Sequence, residues 1–452
     1  MEQRASRLPN SRMKILAASI AAVALSGLAG CMGSQATLGA DTTGIDWNKV
    51  PATKLVLFYP GISSYEWLRS EAHKGAAKET ARGDACVSCH DDAKEEQRQG
   101  AKIMRGNHPL ESVALPGKPG HVDLNVQAAY DDKNAYLRFQ WKTAKNKPGV
   151  EYPGRIFDGK EWKAYGNQRL APDVIAGKMP PLYEDRLSVM LDDGKVPGFA
   201  AQGCWLTCHD GERNLKQAKK EEVDANSLMK AIKKGDVRKF LPESRNDPSD
   251  WKSGKSLDEI AKIKAQGRYL DLFQWRAHRT NPVGGADDGY VLEYRNFDAG
   301  KNHFAANWDA EKKQPKFMYD PAKVGSRALV AGAFETNQPF LVKGVNAVPF
   351  DPNAGWKAGE ILPQYIISAE DAAGSAKDNK GYGTWKDGMW TAVIVRPLNL
   401  ANPDDKALKA GGVYNVGFAI HDDNMTSRGH YVSYTKTLGL GAKADITAVK
   451  LN

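Results

Sequence analysis

Cysteine is scarce in this chain, with five residues in 452. That excludes a disulfide-dense scaffold and leaves the fold to an ordinary hydrophobic core. Long apolar runs are missing too. Past the first thirty residues no segment approaches the roughly 20 consecutive apolar residues of a membrane-crossing helix, which excludes an integral helical protein. Nor is there a large excess of one charge: 63 Lys+Arg stand against 54 Asp+Glu. So mild a basicity gives no footprint for nucleic acid, and none is expected as a partner. What is present is a 41% hydrophobic fraction and eleven tryptophans, which suit both β-rich cores and large flat ligands. The length fits two or three domains.

Residues 1–30 read as an export leader. Arg4, Arg7, Arg12 and Lys14 precede an apolar run from Ile15 to Leu28, too short to span a bilayer comfortably. The run ends Leu28-Ala29-Gly30-Cys31, which resembles the bacterial lipobox. That resemblance implies lipidation of Cys31 as the mature N-terminus, and Met32 in place of Asp implies the outer membrane. Taking the leader's four basic residues and one acidic residue from 63 and 54 leaves 59 against 53, a formal +6. Residues 31–45 are small and polar, a tether.

The other four cysteines form two close pairs, each followed directly by histidine. Cys86-Val87-Ser88-Cys89-His90 is the C-x-x-C-H of c-type haem attachment. Two thiols a short loop apart meet the two vinyl groups of the macrocycle, and the next histidine reaches the iron. A zinc site would need two further ligands at good spacing, and none is nearby. Cys204-Trp205-Leu206-Thr207-Cys208-His209 has one residue more than the common motif. A looser loop still brings both thiols to the vinyls. The alternatives are a Cys204–Cys208 disulfide beside a bystander histidine, attachment through one cysteine, or non-covalent haem. The expectation is two c-type haems, thioether-linked at Cys86, Cys89, Cys204 and Cys208, with His90 and His209 as proximal ligands. Trp205 is expected to pack on the second.

For the first iron's far side, His73 lies thirteen residues before Cys86, and His73-Lys74-Gly75 resembles the His-x-Gly that precedes attachment motifs in multihaem cytochromes. Met104, His108 and His121 compete with it. A methionine there would raise the potential and a second histidine would keep it low.

Residues 46–115 read as a mostly helical or irregular segment around the first motif. After it the pattern changes. Val122, Leu124, Val126 and Ala128 alternate with polar residues, a turn follows at Asp131–Asn134, and Ala135, Leu137, Phe139 and Trp141 alternate again, which predicts a β-hairpin. Further strands are predicted over 290–295, 390–396, 413–420, 431–436 and 446–451. The fold class is therefore mainly β, an antiparallel β-sandwich over 116–452 with a helical insertion at about 214–264. Lys216, Lys219, Lys220, Lys230, Lys233 and Lys234 cluster in that insertion, either as a solvated face or as a basic lip that steers an acidic redox partner.

Asp185–Leu191, Gly203–His209, Leu272–Ala277, Asp387–Thr391, Arg396–Leu398, Gly417–Ile420 and His430–Ser433 together resemble the ethylbenzene dehydrogenase-related haem-binding domain, over about residues 115–452. The family includes haem subunits of periplasmic molybdenum enzymes of the dimethyl-sulfoxide-reductase type. There, a β-sandwich holds one b-type haem between a methionine and a lysine. Here the methionine segment carries Cys204, Cys208 and His209, and His430 stands where the lysine is expected. The resemblance thus implies a haem pocket converted to a covalent, bis-histidine site with His430 as distal ligand. His278, His421 and Met425 are its rivals.

These readings predict a di-haem electron carrier exchanging electrons with redox proteins, held to the membrane by its lipid. One alternative is an electron-transfer subunit for a molybdenum enzyme. Another is a haem enzyme that reduces a small substrate at an open iron.

Overall fold

The computed structural model describes residues 39–90, 92–115, 117–169, 171–422 and 429–451. The expected leader, the lipidation site Cys31 and the candidate Met425 lie outside them. Among the described residues no helix is long and apolar enough to cross a membrane.

The chain is mainly β. One large sheet has thirteen strands, numbered here along the chain: β1 Ala52–Phe58, β2 His121–Tyr130, β3 Asn134–Lys142, β4 Arg186–Asp192, β5 Leu270–Arg276, β6 Gly289–Val291, β7 Arg295–Phe297, β8 Lys380–Lys386, β9 Met389–Pro397, β10 Val413–His421, β11 Tyr431–Val432, β12 Lys436–Leu440 and β13 Ile446–Lys450. The order is β8-β9-β3-β2-β1-β11-β10-β4-β5-β6-β7. β12 joins β10 to β13, and β13 pairs in parallel with β2. Six strands, β2-β1-β11-β10-β12-β13, therefore close into a ring. The pairing shows this ring and three smaller sheets of two or three strands, and does not show the expected pair of facing sheets; β13 returns to β2 and closes what would have been an edge.

The predicted hairpin is β2 and β3, in register from Leu124 opposite Trp141 to Tyr130 opposite Ala135. Its turn is fixed by Asp131, whose Oδ1 accepts the Lys133 and Asn134 amides at 2.7 Å each. Inward-facing Leu124, Val126, Phe139 and Trp141 join Val189, Phe273, Trp275 and Trp390 in the main core. The predicted strand at 290–295 is split into β6 and β7, and that at 431–436 into β11 and the start of β12.

The segment expected as a separate N-terminal unit shares this sheet. Its β1 pairs along its whole length with β2, from Ala52 opposite Gln127 to Phe58 opposite His121, and Phe58 also meets Val432 of β11. Three helices follow: α1 Tyr65–Leu68, α2 Ala77–Arg82 and α3 Ala93–Met104. Asp92 caps α3 by accepting the Lys94 amide at 2.9 Å, and Glu95 and Glu96 favour its first turn. Gly100 lets the helix sit on the sheet end, since a Cβ there would lie 2.0 Å from the Gly120 carbonyl oxygen.

The expected helical insertion contains short helices at Lys220–Ala225, Ser227–Ala231 and Leu257–Ala265. It is no loose flap. Val223, Leu228, Met229, Phe240, Ile260 and Ile263 pack with Met190, Leu270 and Leu272 of β4 and β5.

Candidate haem sites

Two cavities flank the β1–β11 seam, with empty volumes of about 1430 Å³ and 1320 Å³. Each contains one of the two cysteine motifs.

The first is built by α1 to α3. Ser64 caps α1 by accepting the Trp67 amide at 3.1 Å, and the chain then turns through His73. α2 ends at Gly83, whose φ of +91° suits glycine, and the chain enters the Cys86–Ser88 turn. The His90 amide donates to the Cys86 carbonyl at 3.0 Å, closing the motif. His73, Cys86, Cys89 and His90 all line the cavity, beside Phe58, Leu68, Ile103, Leu110, Trp205 and Tyr434. The His73 and His90 rings have centroids 6.5 Å apart and planes 13° from parallel. His73 Nδ1 donates to the Leu68 carbonyl at 2.9 Å, and His90 Nδ1 meets the Gln99 side-chain amide at 2.7 Å. Neither Nε2 has a hydrogen-bond partner among the described residues. Anchoring one ring nitrogen while leaving the other free is how proteins orient metal-binding imidazoles. Both Nε2 atoms carry lone pairs once the Gln99 amide turns its oxygen to the His90 Nδ1 proton, which gives up the Gln99 Nε2 bond to Glu95 Oε1 at 3.2 Å. Burial lowers the His90 pKa, which favours the neutral ring. Burial also pushes the Cys86 thiol up to about 11, so the thiol is a protonated, weakly reactive group in this site.

Among the rivals for this iron, His108 lines the cavity, but its Nδ1 accepts the Leu110 amide at 3.2 Å. Its proton is then on Nε2, the nitrogen that would have to ligate. Met104 is buried in the main core, and His121 sits on β2 opposite Phe58; neither lines the cavity.

The second cavity lies on the sheet itself. Arg186, Ser188 and Met190 of β4 line it, while Leu187, Val189 and Leu191 between them face the main core. Leu272 and Gln274 of β5, Gly417, Ala419 and His421 of β10, and Val432 of β11 complete the floor. Cys204 and Cys208 line it as well. His430 lines the cavity half-buried, its Nδ1 shielded from solvent and without a hydrogen-bond partner among the described residues, and its ring stacks on that of His421 with centroids 5.0 Å apart. Burial lowers the pKa of both rings well below the usual histidine range. His421 has less freedom, since Arg186 Nη2 lies 2.7 Å from its Nε2. The third rival, His278, is packed against Tyr152 and Phe340 and lines neither cavity.

His209 does not line this cavity. Its Nδ1 lies 2.9 Å from Glu66 Oε1, its Nε2 3.2 Å from the Leu206 carbonyl, and its ring stacks on Phe240 at 3.8 Å. Burial lowers its pKa, so the ring is neutral with one proton to give. A proton donated to Glu66 leaves the Nε2 lone pair facing a carbonyl oxygen, two acceptors without a hydrogen between them. The contact with Leu206 is therefore a weak hold on Nε2.

Sequence reasoning missed the charge of this second cavity. Arg169, Arg186, Arg213, Arg238, Lys239 and Arg295 line it, with Glu212 the sole carboxylate among its lining residues. Lys239 Nζ donates to Cys208 Sγ at 2.7 Å and is held protonated by the surrounding thiols and Glu212. Six cations beside one carboxylate favour an anion, with Arg186 buried, the others half-buried, and Arg213 and Arg238 also paired with Asp236. The one legible signal was Arg186, a charged residue inside an otherwise apolar strand.

The cavities share a wall. Trp205 lines both, donates from Nε1 to Ser63 Oγ at 2.8 Å, and packs with Phe58 and Tyr434 at 5.7 Å and 5.2 Å. Cys86 and Cys204 both rest on this cluster. The Tyr65 amide, at the start of α1, donates to the Cys208 carbonyl at 2.6 Å and ties one motif to the other. All four cysteines are free thiols, so the disulfide alternative is not formed. Among the described residues the clusters spaced to hold a metal consist of aspartates alone, which leaves the zinc alternative without a ligand set. The free Nε2 pair in one cavity, the unpartnered His430 nitrogen and surplus cations in the other, and thiols on both walls all fit haem with its iron, vinyl groups and propionates.

Known proteins agree with this chemistry. The chain is 26% identical over 440 residues to "Cytochrome c-552" of Stutzerimonas stutzeri, covering 96% of this chain and 98% of that protein. It is 28% identical over 212 residues to "Cytochrome c-551" of Rhodocyclus tenuis, covering 47% of this chain and 68% of that protein. The model of the ethylbenzene dehydrogenase family matches residues 45–433. That match begins well before residue 115, where the resemblance was first seen, and so takes in β1 and the first cavity. Both motifs and eleven of the sheet's thirteen strands lie inside the matched region, and the chain belongs to the ethylbenzene dehydrogenase family.

Proposed function

We propose that the chain is a di-haem c-type cytochrome that transfers electrons and carries out no substrate chemistry of its own. Haem supplies a one-electron iron couple; the protein's part is to hold each iron six-coordinate, so that little moves on reduction. The observation that carries this reading is the His73–His90 pair, with both Nδ1 atoms anchored and both Nε2 atoms free across the first cavity. Cys86 and Cys89 provide the thioethers there. In the second cavity Cys204 and Cys208 do so, the lining arginines meet the propionates, and His430 is one axial ligand. His209 is the other, after its Nε2 leaves the Leu206 carbonyl. Trp205, Phe58 and Tyr434 separate the sites by one aromatic layer, which keeps the transfer distance short. Two relatives named as cytochromes c support the haem reading. A lipid on Cys31 would hold the protein on the periplasmic side, at the outer membrane.

The pyridine haemochrome of purified protein tests this. Two c-type haems per chain that resist acid–acetone extraction are expected, low-spin in both oxidation states. One haem per chain, or an extractable second haem, would refute the stoichiometry. A ferric high-spin signal would point to an open iron and an enzyme. The family supports a second reading, electron transfer for a periplasmic molybdenum oxidoreductase. Co-purification with a large cofactor-bearing partner supports that reading, and a monomer after gentle solubilisation opposes it.

A further inference from the structure

Away from both cavities, the strands β5 to β7 and the loop between β9 and β10 bury a dense group of aspartates. It divides into two parts. Asp271, Asp288 and Asp405 surround Arg396, whose guanidinium pairs with Asp271, with Asp288 at 3.2 Å and with Asp405 at 3.1 Å. That part has its cation. The other part is Asp298, Asp404 and Asp405, whose carboxylate oxygens lie within 4.8 Å of one another. No lysine or arginine pairs with Asp298 or Asp404 among the described residues; Lys406, next in the chain, points to Asp193 at 2.6 Å.

We propose that Asp298, Asp404 and Asp405 form a calcium-binding site. An acidic cluster alone would not carry this; the orphaned carboxylate of Asp298 does. Asp298 is 5% exposed, and neither of its oxygens has a hydrogen-bond partner among the described residues. A buried carboxylate with both oxygens unmet is costly, and it faces two more carboxylates. Those two are already oriented. Asp404 accepts the Ala299 amide at 2.8 Å, and the Ser375 hydroxyl, whose one proton goes to the nearer Asp405, lies 3.1 Å from its other oxygen. Asp405 accepts Ser375 Oγ at 2.9 Å and Asn402 Nδ2 at 2.8 Å on one oxygen, with Arg396 on the other. Both Asp404 oxygens and the Asp405 oxygen that meets Arg396 keep a lone pair, so these bonds aim the ligands without exhausting them. Outer-shell donors of this kind accompany real metal sites.

Carboxylates alone, with no imidazole or thiolate, select a hard cation. Three ligands on irregular backbone suit the larger, geometrically tolerant calcium ion better than magnesium, which demands a near-ideal octahedron. Bound there, the ion would fasten the end of β7 to the β9–β10 loop and the turn at Ser375, stabilising the sheet beyond β5 without touching either haem cavity.

The test uses the haem-loaded protein, stripped with EGTA and desalted. Calcium chloride is then titrated by calorimetry, metal content is read by mass spectrometry, and melting is followed in calcium and in EGTA. One calcium per chain and a melting point several degrees higher in calcium are expected, with magnesium weaker. Asp298→Asn should lose both effects, and Asp258→Asn, on an exposed helix, should keep them. No bound calcium at millimolar concentration together with identical melting in calcium and EGTA would overturn the proposal, as would magnesium binding in preference to calcium. Should Asp298→Asn fail to fold, stoichiometry and melting of the unaltered protein decide alone.

Discussion

Replacing His73 gives the sharpest test of the first site. Two imidazole nitrogens about 2.0 Å from one iron, with each ring centre roughly 1.2 Å further back, place the ring centres about 6.4 Å apart. The structure has them 6.5 Å apart. The ring separation is therefore already that of two imidazoles sharing an iron, and the Leu68 carbonyl holds His73 Nδ1. His73 lies half-exposed in a turn between α1 and α2, so truncation leaves the core intact. In His73→Ala the haem stays on Cys86 and Cys89, but its iron loses one ligand. With two haems per chain, half of the ferric low-spin signal should convert to high-spin, and added imidazole should restore it. His73→Met should stay low-spin and raise one of the two potentials by on the order of 100 mV, a fraction of the ~0.8 V range that axial ligands command. Electron paramagnetic resonance and spectroelectrochemical titration read both effects. A fully low-spin His73→Ala with unchanged potentials would refute the pairing and turn attention to His108.

Two further outcomes follow from buried groups. His278 is pushed down to about 4 by burial, its Nε2 meeting no acceptor. The unfolded chain, near 6.5, binds a proton first as pH falls, so this stability is fully present above about pH 6.5 and is lost as pH falls towards 4. At ~1.4 kcal/mol per unit the loss is about 3 kcal/mol. Urea unfolding of the native protein and of His278→Gln across pH 4–7 should show a shallower slope in the variant; equal slopes would contradict the assignment. Glu66 accepts from His209 Nδ1 and from the Asp210 amide at 2.7 Å. A carboxylate on Nδ1 makes the ring a stronger donor to ferric iron, so Glu66→Gln should raise the second potential by roughly 30–60 mV. No shift in redox titration would mean that His209 is not a ligand.

The sequence reveals what is local. Cys86–His90 is legible because covalent attachment fixes its spacing, and β2 and β3 because one face meets the core and the other does not. β4 and β5 defeat alternation: every residue of both strands is buried, the core lying on one face and the second cavity on the other. Arg186, Ser188 and Gln274 are polar for the cavity's sake, which hides the strands they belong to. β1 was hidden differently. Its Leu55-Val56-Leu57-Phe58 run does not alternate because Leu55 and Leu57 face the main core while Phe58 packs with Trp205 and Tyr434 between the cavities. The meeting of His73 and His90 in the first cavity was within reach because the two are close in the chain. The setting of His209 was not, because its ring is held by Glu66, 143 residues away. The cationic lining was equally illegible, since its six residues come from scattered elements.

The closed ring has a consequence in time. Its seam joins Phe58 to Val432, and β2 takes β13 as a parallel neighbour near the C-terminus. Such contacts are slow to form, because most of the chain must be made and brought round first. The turn that brings His73 to His90 depends on neighbours a few residues apart. The first attachment motif can therefore take shape while the ring is still open. The second cavity cannot, because its floor needs β10 and β11, among the last strands to be made. Any machinery that attaches haem to this chain meets the two motifs in that order, with the second waiting on the closing of the sheet.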